Sequence, residues 1–327
     1  MLRKAILGLA FASFALLPNA ASAQKVWRHG MVQAKSDAGF AMMAAKRGFA
    51  KKHGLDLQIV QFKGDALALK ALIAGEIESY EGSPGSPMIA VSRGAELNTV
   101  GCYWPGLTYT IFTKPDVNSV KDLKGKTFAI SSPGALPDLF ARAVLENSGI
   151  SPKDVKFAVM GADADRFRAV VAGVVGAAAS SSEFIPITKK MGIKPLISAH
   201  DVTPNFLRFC TYMSTSTISS RNADAVNFVA SEIEAFRHAM ADKADTIALT
   251  KEIIKPKADD PRPEYIYDEV VRLHAIDPEM SIPMDKLKWM EDLFRKSGTL
   301  KSDIDLKKFV DASVREKALA IVGPPKK

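Results

Sequence analysis

The stretch that decides the fold spans residues 26–62 and reads VWRHGMVQAKSDAGFAMMAAKRGFAKKHGLDLQIVQF. Residues 26–32 have the character of a short strand, and residues 39–52 place apolar side chains at helical spacing. Gly54 stands where a helix C-cap glycine belongs, and residues 55–62 return as an alternating strand. Outward from it, residues 66–74 predict a helix stopped by Gly75, residues 76–80 an extended segment, and residues 84–93 a helix stopped by Gly94. Strand and helix alternating at this spacing predict an α/β fold with much parallel sheet.

A second set of the same units begins near Val117. Strands are expected at 127–130, 155–160, 174–179 and 193–198, with helices at 136–147 and 165–171. From Ser220 the pattern changes to longer amphipathic helices at 223–242, 243–254, 265–273 and 281–297, with a Pro- and charge-rich break at 255–263.

The whole chain has 327 residues, 47% of them hydrophobic and 24% charged, which is room for two domains and excludes disorder. Two cysteines cannot make a disulfide scaffold. The formal charge of +8 is spread along the chain rather than gathered in a patch, so nucleic acid is not an expected partner. Residues 1–23 read as a signal peptide: Arg3 and Lys4, an apolar run over 5–17, and Ala21-Ser22-Ala23 as the cleavage site. The run is too short to span a bilayer. Cleavage after Ala23 and export to the periplasm are the expectation.

Catalytic signatures are sparse. The five histidines, at 29, 53, 200, 238 and 274, make no metal-ligand spacing. No Gly-x-Ser-x-Gly elbow occurs. Gly125-Lys126-Thr127 matches only the end of a phosphate-binding loop, and it precedes a strand instead of following one. The reading is a non-enzyme with no cofactor and no metal.

The informative positions are five strand-to-helix junctions. They carry Lys35 and Ser36; Lys63, Gly64 and Asp65; Glu81, Gly82 and Ser83; Ser131, Ser132 and Gly134; and Ser181, Ser182 and Glu183. Ligands of open α/β sheets bind outside the carboxyl ends of the strands, where helix N-termini offer unpaired N–H groups. Any one such Ser or Asp is explained by helix capping alone. Five of them across two α/β halves point to a shared cleft.

The chain resembles the periplasmic solute-binding proteins of ABC importers, in the sulfonate/nitrate/taurine (SsuA-like) and NMT1/THI5-like group. The resemblance rests on residues 44–57, on Ala71-Leu72-Ile73-Ala74-Gly75-Glu76-Ile77-Glu78, on residues 120–127 and on residues 169–177. Glu78 and Gly176 depart from the acidic residues usual at those points, Asp in both cases. The resemblance implies a type II periplasmic-binding fold: two α/β domains joined by two hinge segments, with a helical C-terminal region. Residues 24–106 and 212–327 would form domain one and residues 107–211 domain two, with crossings near 103–113 and 206–213. It also implies a small-molecule solute in the cleft, a membrane permease with its ATPase as partners, and a monomer.

For the ligand, Lys35 and Lys63 suit a sulfonate, carboxylate or related anion, whereas Asp65, Glu81 and Glu183 suit an amine, as in a thiamine-pyrimidine precursor. Tyr103, Trp104 and Tyr109 could supply an aromatic wall. A pyrimidine-precursor synthase-like enzyme and a sensor-feeding binding protein are the remaining alternatives; the enzyme's Cys-rich motif is missing here. In the implied fold Cys102 and Cys210 lie on neighbouring strands. They are read as two buried thiols, with a bridge as the alternative if the register aims them together.

Overall fold

The computed structural model describes residues 24–325, so the expected signal peptide lies outside the described residues. Strands β1 (Lys25–Val32), β2 (Leu55–Phe62), β3 (Ser79–Gly82) and β4 (Leu97–Trp104) come first. Then follow β5 (Tyr109–Thr113), β6 (Thr127–Ile130), β7 (Lys156–Val159), β8 (Ala177–Ser181) and β9 (Lys194–Ser198), and β10 (Phe209–Ser214) ends the series. They make two five-stranded sheets, ordered β2-β1-β3-β10-β4 and β7-β6-β8-β5-β9. The elements packed around each sheet are the first and second halves.

Each sheet is mixed. β1 runs parallel to β2, from Lys25 opposite Leu55 to Val32 opposite Phe62, and parallel to β3. β10, coming back from the second half, enters antiparallel between β3 and β4. In the second sheet β6 is parallel to β7 and β8, while β5 is antiparallel to β8 and β9. The antiparallel strands are those that follow a crossing between halves.

The helix expected over 39–52 is broken into α1 (Ala38–Ala41), α2 (Met43–Lys46) and α3 (Phe49–Lys52), and Gly48 at φ 82° takes the left-handed conformation between the last two. α4 (Asp65–Ile73) and α5 (Gly85–Ser92) complete the N-terminal part, and α6 (Leu136–Asn147), α7 (Asp163–Val171) and α8 (Ala199–Val202) belong to the second half. The strand expected at 174–179 begins at Ala177 instead. Gly173 donates to the Val170 carbonyl and Val174 to that of Ala169, so these residues are spent on capping α7. Val174 is accordingly exposed.

The C-terminal region contains α9 (Thr215–Ser220), α10 (Asn222–Ala241), α11 (Lys243–Ile254), α12 (Arg262–Arg272), α13 (Met284–Lys296), α14 (Leu306–Phe309) and α15 (Ser313–Val322). α10 buries Phe228, Val229, Ile233 and Phe236 against the first sheet, where Trp27 stacks on Phe228 and Tyr103 on Phe236. Each such side chain contributes roughly 1.5–3 kcal/mol on leaving water. Phe112, Phe167 and Phe184 form the outer core of the second half. A third core runs through both halves, with Tyr80, Met88 and Phe294 from one and Phe128, Leu139 and Phe140 from the other.

The reading of Cys102 and Cys210 as buried thiols is overturned, because the two are disulfide-bonded. A bulge decides it. Phe209 pairs with Trp104 but Thr211 pairs with Gly101, so β4 spends one more residue than β10 over this interval. That extra residue brings Cys102 abreast of Cys210 with both sulfurs on one face. Thiol titration of the unfolded, unreduced chain should therefore find no free thiol. Replacing both cysteines by serine should lower the unfolding free energy by about 2–5 kcal/mol in a denaturant titration.

Candidate functional site

The carboxyl ends of six strands open onto one cavity of about 500 Å³. Lys35 follows β1, Lys63 to Asp65 follow β2, and Ser83 follows β3. From the second half come Ser131 to Gly134 after β6, Gly161 to Asp163 after β7, and Glu183 after β8. Both crossings contribute as well: Tyr109 opens β5, and Arg208 and Phe209 lead into β10.

Nine sequence-predicted residues thus line one cavity: Lys35, Lys63, Gly64, Asp65, Ser83, Ser131, Ser132, Gly134 and Glu183. Five do not. Ser36 lies just behind the wall, where its backbone N–H donates to Glu183 Oε2 at 3.0 Å. Glu81 points to the other face of the first sheet, because β3 extends through Gly82 and side chains alternate along it. There it accepts a hydrogen bond from the Tyr103 hydroxyl, so Tyr103 and Trp104 serve the first core and not the cavity. Gly82 backs the site: a Cβ there would lie 1.8 Å from the Tyr80 hydroxyl and 2.5 Å from Asp65 Oδ1. Its absence lets Tyr80 donate to Asp65. Ser181 gives its N–H to Asp163 Oδ1 at 3.2 Å and caps the 3-10 turn at Ser182–Ile187. Ser182 donates to Glu269 of α12.

Asp163 is the hub that the sequence reading missed. Its Oδ2 accepts from Lys35 Nζ at 2.9 Å and from the Tyr109 hydroxyl at 3.1 Å, while Oδ1 meets the Arg166 guanidinium. Arg166 also donates to the carbonyls of Ala179 and Gly161, which leaves it fully tied inside the second half. Burial by itself would raise the Asp163 carboxyl, but the charges of Lys35 and Arg166 outweigh it and hold it well below the usual carboxylate range. Lys35 shows the mirror image: burial would lower it, and Asp163 carries it above its ordinary value.

A second buried pair joins Arg208 to Asp37. Arg208 also donates to Thr108 Oγ1 at 2.9 Å, and its guanidinium lies 4.1 Å from the Trp104 ring centre. Burial would raise Asp37, yet Arg208 and Lys35 hold it down. Asp65 and Glu183 behave oppositely, with burial pushing both carboxyls up. Gly134, at φ 75°, packs close to the C-terminal region, where a Cβ would come within 2.7 Å of the Thr299 methyl.

The signal for Asp163 was present in the sequence. Met160-Gly161-Ala162-Asp163 is another strand-to-helix junction of the same composition, set between β7 and α7. For Arg208 the signal was a lone arginine inside the apolar run Phe206-Leu207-Arg208-Phe209. Among the described residues no group of three or more His, Cys, Asp or Glu is placed to hold a metal ion, and no helix is long and apolar enough to cross a membrane.

Two α/β halves sharing a cavity at their strand ends define the fold class of periplasmic binding proteins, and the solved structures agree. The nitrate-binding protein NrtA of Synechocystis PCC 6803 superposes with a TM-score of 0.76 at 14% identity, over 91% of this chain and 89% of its own. The aliphatic sulphonate-binding protein SsuA of Escherichia coli gives 0.71 at 19%, over 88% and 92%. The desulfurization enzyme DszB also shares the fold, at 0.67 and 13% identity, over 91% and 99%. By sequence, residues 36–242 match the family described as NMT1/THI5 like, and the chain belongs to it. A Brucella abortus protein, given a provisional binding role by its name, is 24% identical over 323 residues, covering 94% of this chain and 97% of that protein.

Replacing Asp163 by Asn should leave Lys35 and Arg166 buried with no counter-charge, at a cost of about 3–5 kcal/mol of folding stability. Because the folded Asp163 carboxyl is depressed, its contribution is present above the unfolded value of about 4 and is lost as pH falls toward the folded one. Denaturant midpoints measured from pH 7 downward should fall below about pH 4 in the parent chain, with a shallower acid arm in the Asn variant.

Proposed function

We propose that the chain is the extracytoplasmic solute-binding component of an ABC importer. The observation that carries this reading is the single cavity built from both halves at the strand ends. The two sheets are then the cores of two lobes, with β10 wholly in the first and residues 107–208 in the second, hinged where the chain leaves after Trp104 and returns at Arg208. A solute touching both walls stabilises the closed arrangement, because only that state contacts it from both sides. The closed protein, a monomer, delivers the solute to a membrane permease driven by its ATPase. Residues 1–23 direct export and are removed after Ala23, which places the mature protein in the periplasm.

Binding without turnover fits the charges. Lys35, Asp163 and Arg166 hold one another, as do Asp37 and Arg208, so these groups position the walls instead of standing ready for proton transfer. The volume limits the solute to a small organic molecule. Support also comes from the binding roles in the names of the structural neighbours and of the Brucella relative.

Calorimetric titration against a broad library of small organic solutes should give one-to-one binding, and the recovered solute should be chemically unchanged by NMR. Ser132 is a half-buried part of the cavity wall, so Ser132→Trp should weaken that binding tenfold or more, about 1.4 kcal/mol, with the unliganded melting point nearly unmoved. A library without a single binder, or a solute converted to product, would overturn the reading.

A further inference from the structure

Resting on that reading, we propose that the solute carries a protonated nitrogen head, an amine or amidine, received by Asp65 and Glu183, on an apolar body. The buried cations of the cavity wall are already in contact with protein carboxylates. Lys35 and Arg166 share Asp163, and Arg208 has Asp37. Lys63 is exposed, where solvent and salt screen its charge. Each buried cation therefore touches a protein carboxylate before any solute arrives, with Lys35 and Arg166 dividing one between them.

The carboxyls are in the reverse position. Asp65 and Glu183 both line the cavity, and among the described residues neither has an ammonium or guanidinium within 4.0 Å. Asp65 is half-buried and accepts from the Tyr80 hydroxyl. Glu183 is 4% exposed and uses one oxygen on the Ser36 N–H. A carboxylate buried without a counter-charge is costly, and a cation from the solute removes that cost. Burial raises both carboxyls, and at Glu183 the charge of Lys35 opposes it without outweighing it.

Two of the helix ends lead to the same conclusion. Asp65 opens α4 and Asp163 opens α7, so the partial positive charge at both N-termini already faces a protein carboxylate. An anionic solute would have to displace Asp163 or Asp37 from a buried pair, or sit against two carboxyls that form no ion pair among the described residues. Beside the polar Gln33 and the serines, the wall carries an apolar surface of Val32, Phe62, Leu67, Ile89 and Leu136. This body-and-head arrangement reverses the anion that Lys35 and Lys63 suggest in the sequence.

The test uses the full exported chain and solutes matched in body but opposite in charge: benzylamine and benzamidine against benzoate and benzenesulfonate, and hexylamine against hexanesulfonate. Thermal shift at millimolar concentration, followed by calorimetry, should show one-to-one binding by at least one nitrogen cation and by no anion. Asp65→Asn and Glu183→Gln, each checked for an intact unliganded melting transition, should weaken that binding tenfold or more. The proposal is overturned if an anion binds while its cationic counterpart does not, if both substitutions leave cation binding intact, or if neither series binds. The broad library decides separately whether the chain is a binding protein at all, since a neutral or anionic binder found there would sustain that reading while sinking this one.

Discussion

The antiparallel seam between β4 and β10 is the constraint on which the rest of the structure depends. The chain leaves the first half after Trp104 and comes back at Arg208, and the Arg208 N–H donates to the Trp104 carbonyl at 3.0 Å. The Cys102–Cys210 bridge lies beside this point, and the Arg208 guanidinium packs on the Trp104 ring. Without the returning strand, β3 would be an unpaired edge and the first sheet would be split from β4. The same return carries Arg208 to Asp37 and so connects the crossing to the segment after β1. One seam thus sets the sheet order, the path of both crossings and one wall of the cavity.

Around the cavity, charge neutralisation does the positioning. Asp163 accepts from Lys35, Tyr109, Arg166 and the Ser181 N–H, which uses the capacity of both its oxygens. Lys35, Ser36 and Asp37 are consecutive and reach three different partners, in α7, in the turn after β8 and in the return crossing. Such pairs cost desolvation, and their worth to folding is small compared with a packed apolar core. What they supply is register: each fixes one wall of the cavity against another by groups that cannot slide without exposing a buried charge.

Beneath the first sheet, on the face away from the cavity, lies a separate polar layer. Ser79 accepts from Trp27 Nε1 at 2.8 Å and lies 2.7 Å from His29 Nδ1, and Glu81 takes the Tyr103 hydroxyl. Glu232 of α10 completes it, pushed well above the carboxylate range by burial and next by the charge of Glu81. This layer explains why Glu81 is absent from the cavity although Asp65 and Ser83 are there. Ser79 and Glu81 share one face of β3, and Tyr80 with Gly82 the other.

The sequence by itself determined the alternation of strands and helices, the glycines that end helices, and the junctions that supply most of the cavity wall. These features are local: apolar period, capping and turn chemistry act over a few residues, and residues 26–62 contain them all. It also contained Met160-Gly161-Ala162-Asp163, the same signal in a place where the strand before it is short and half-exposed. Tertiary structure alone decided which charges meet. Lys35 and Asp163 are 128 positions apart, Asp37 and Arg208 are 171 apart, and nothing in composition pairs them. It also decided the bulge that joins Cys102 to Cys210, because strand register depends on hydrogen bonds between segments that pattern describes only one at a time.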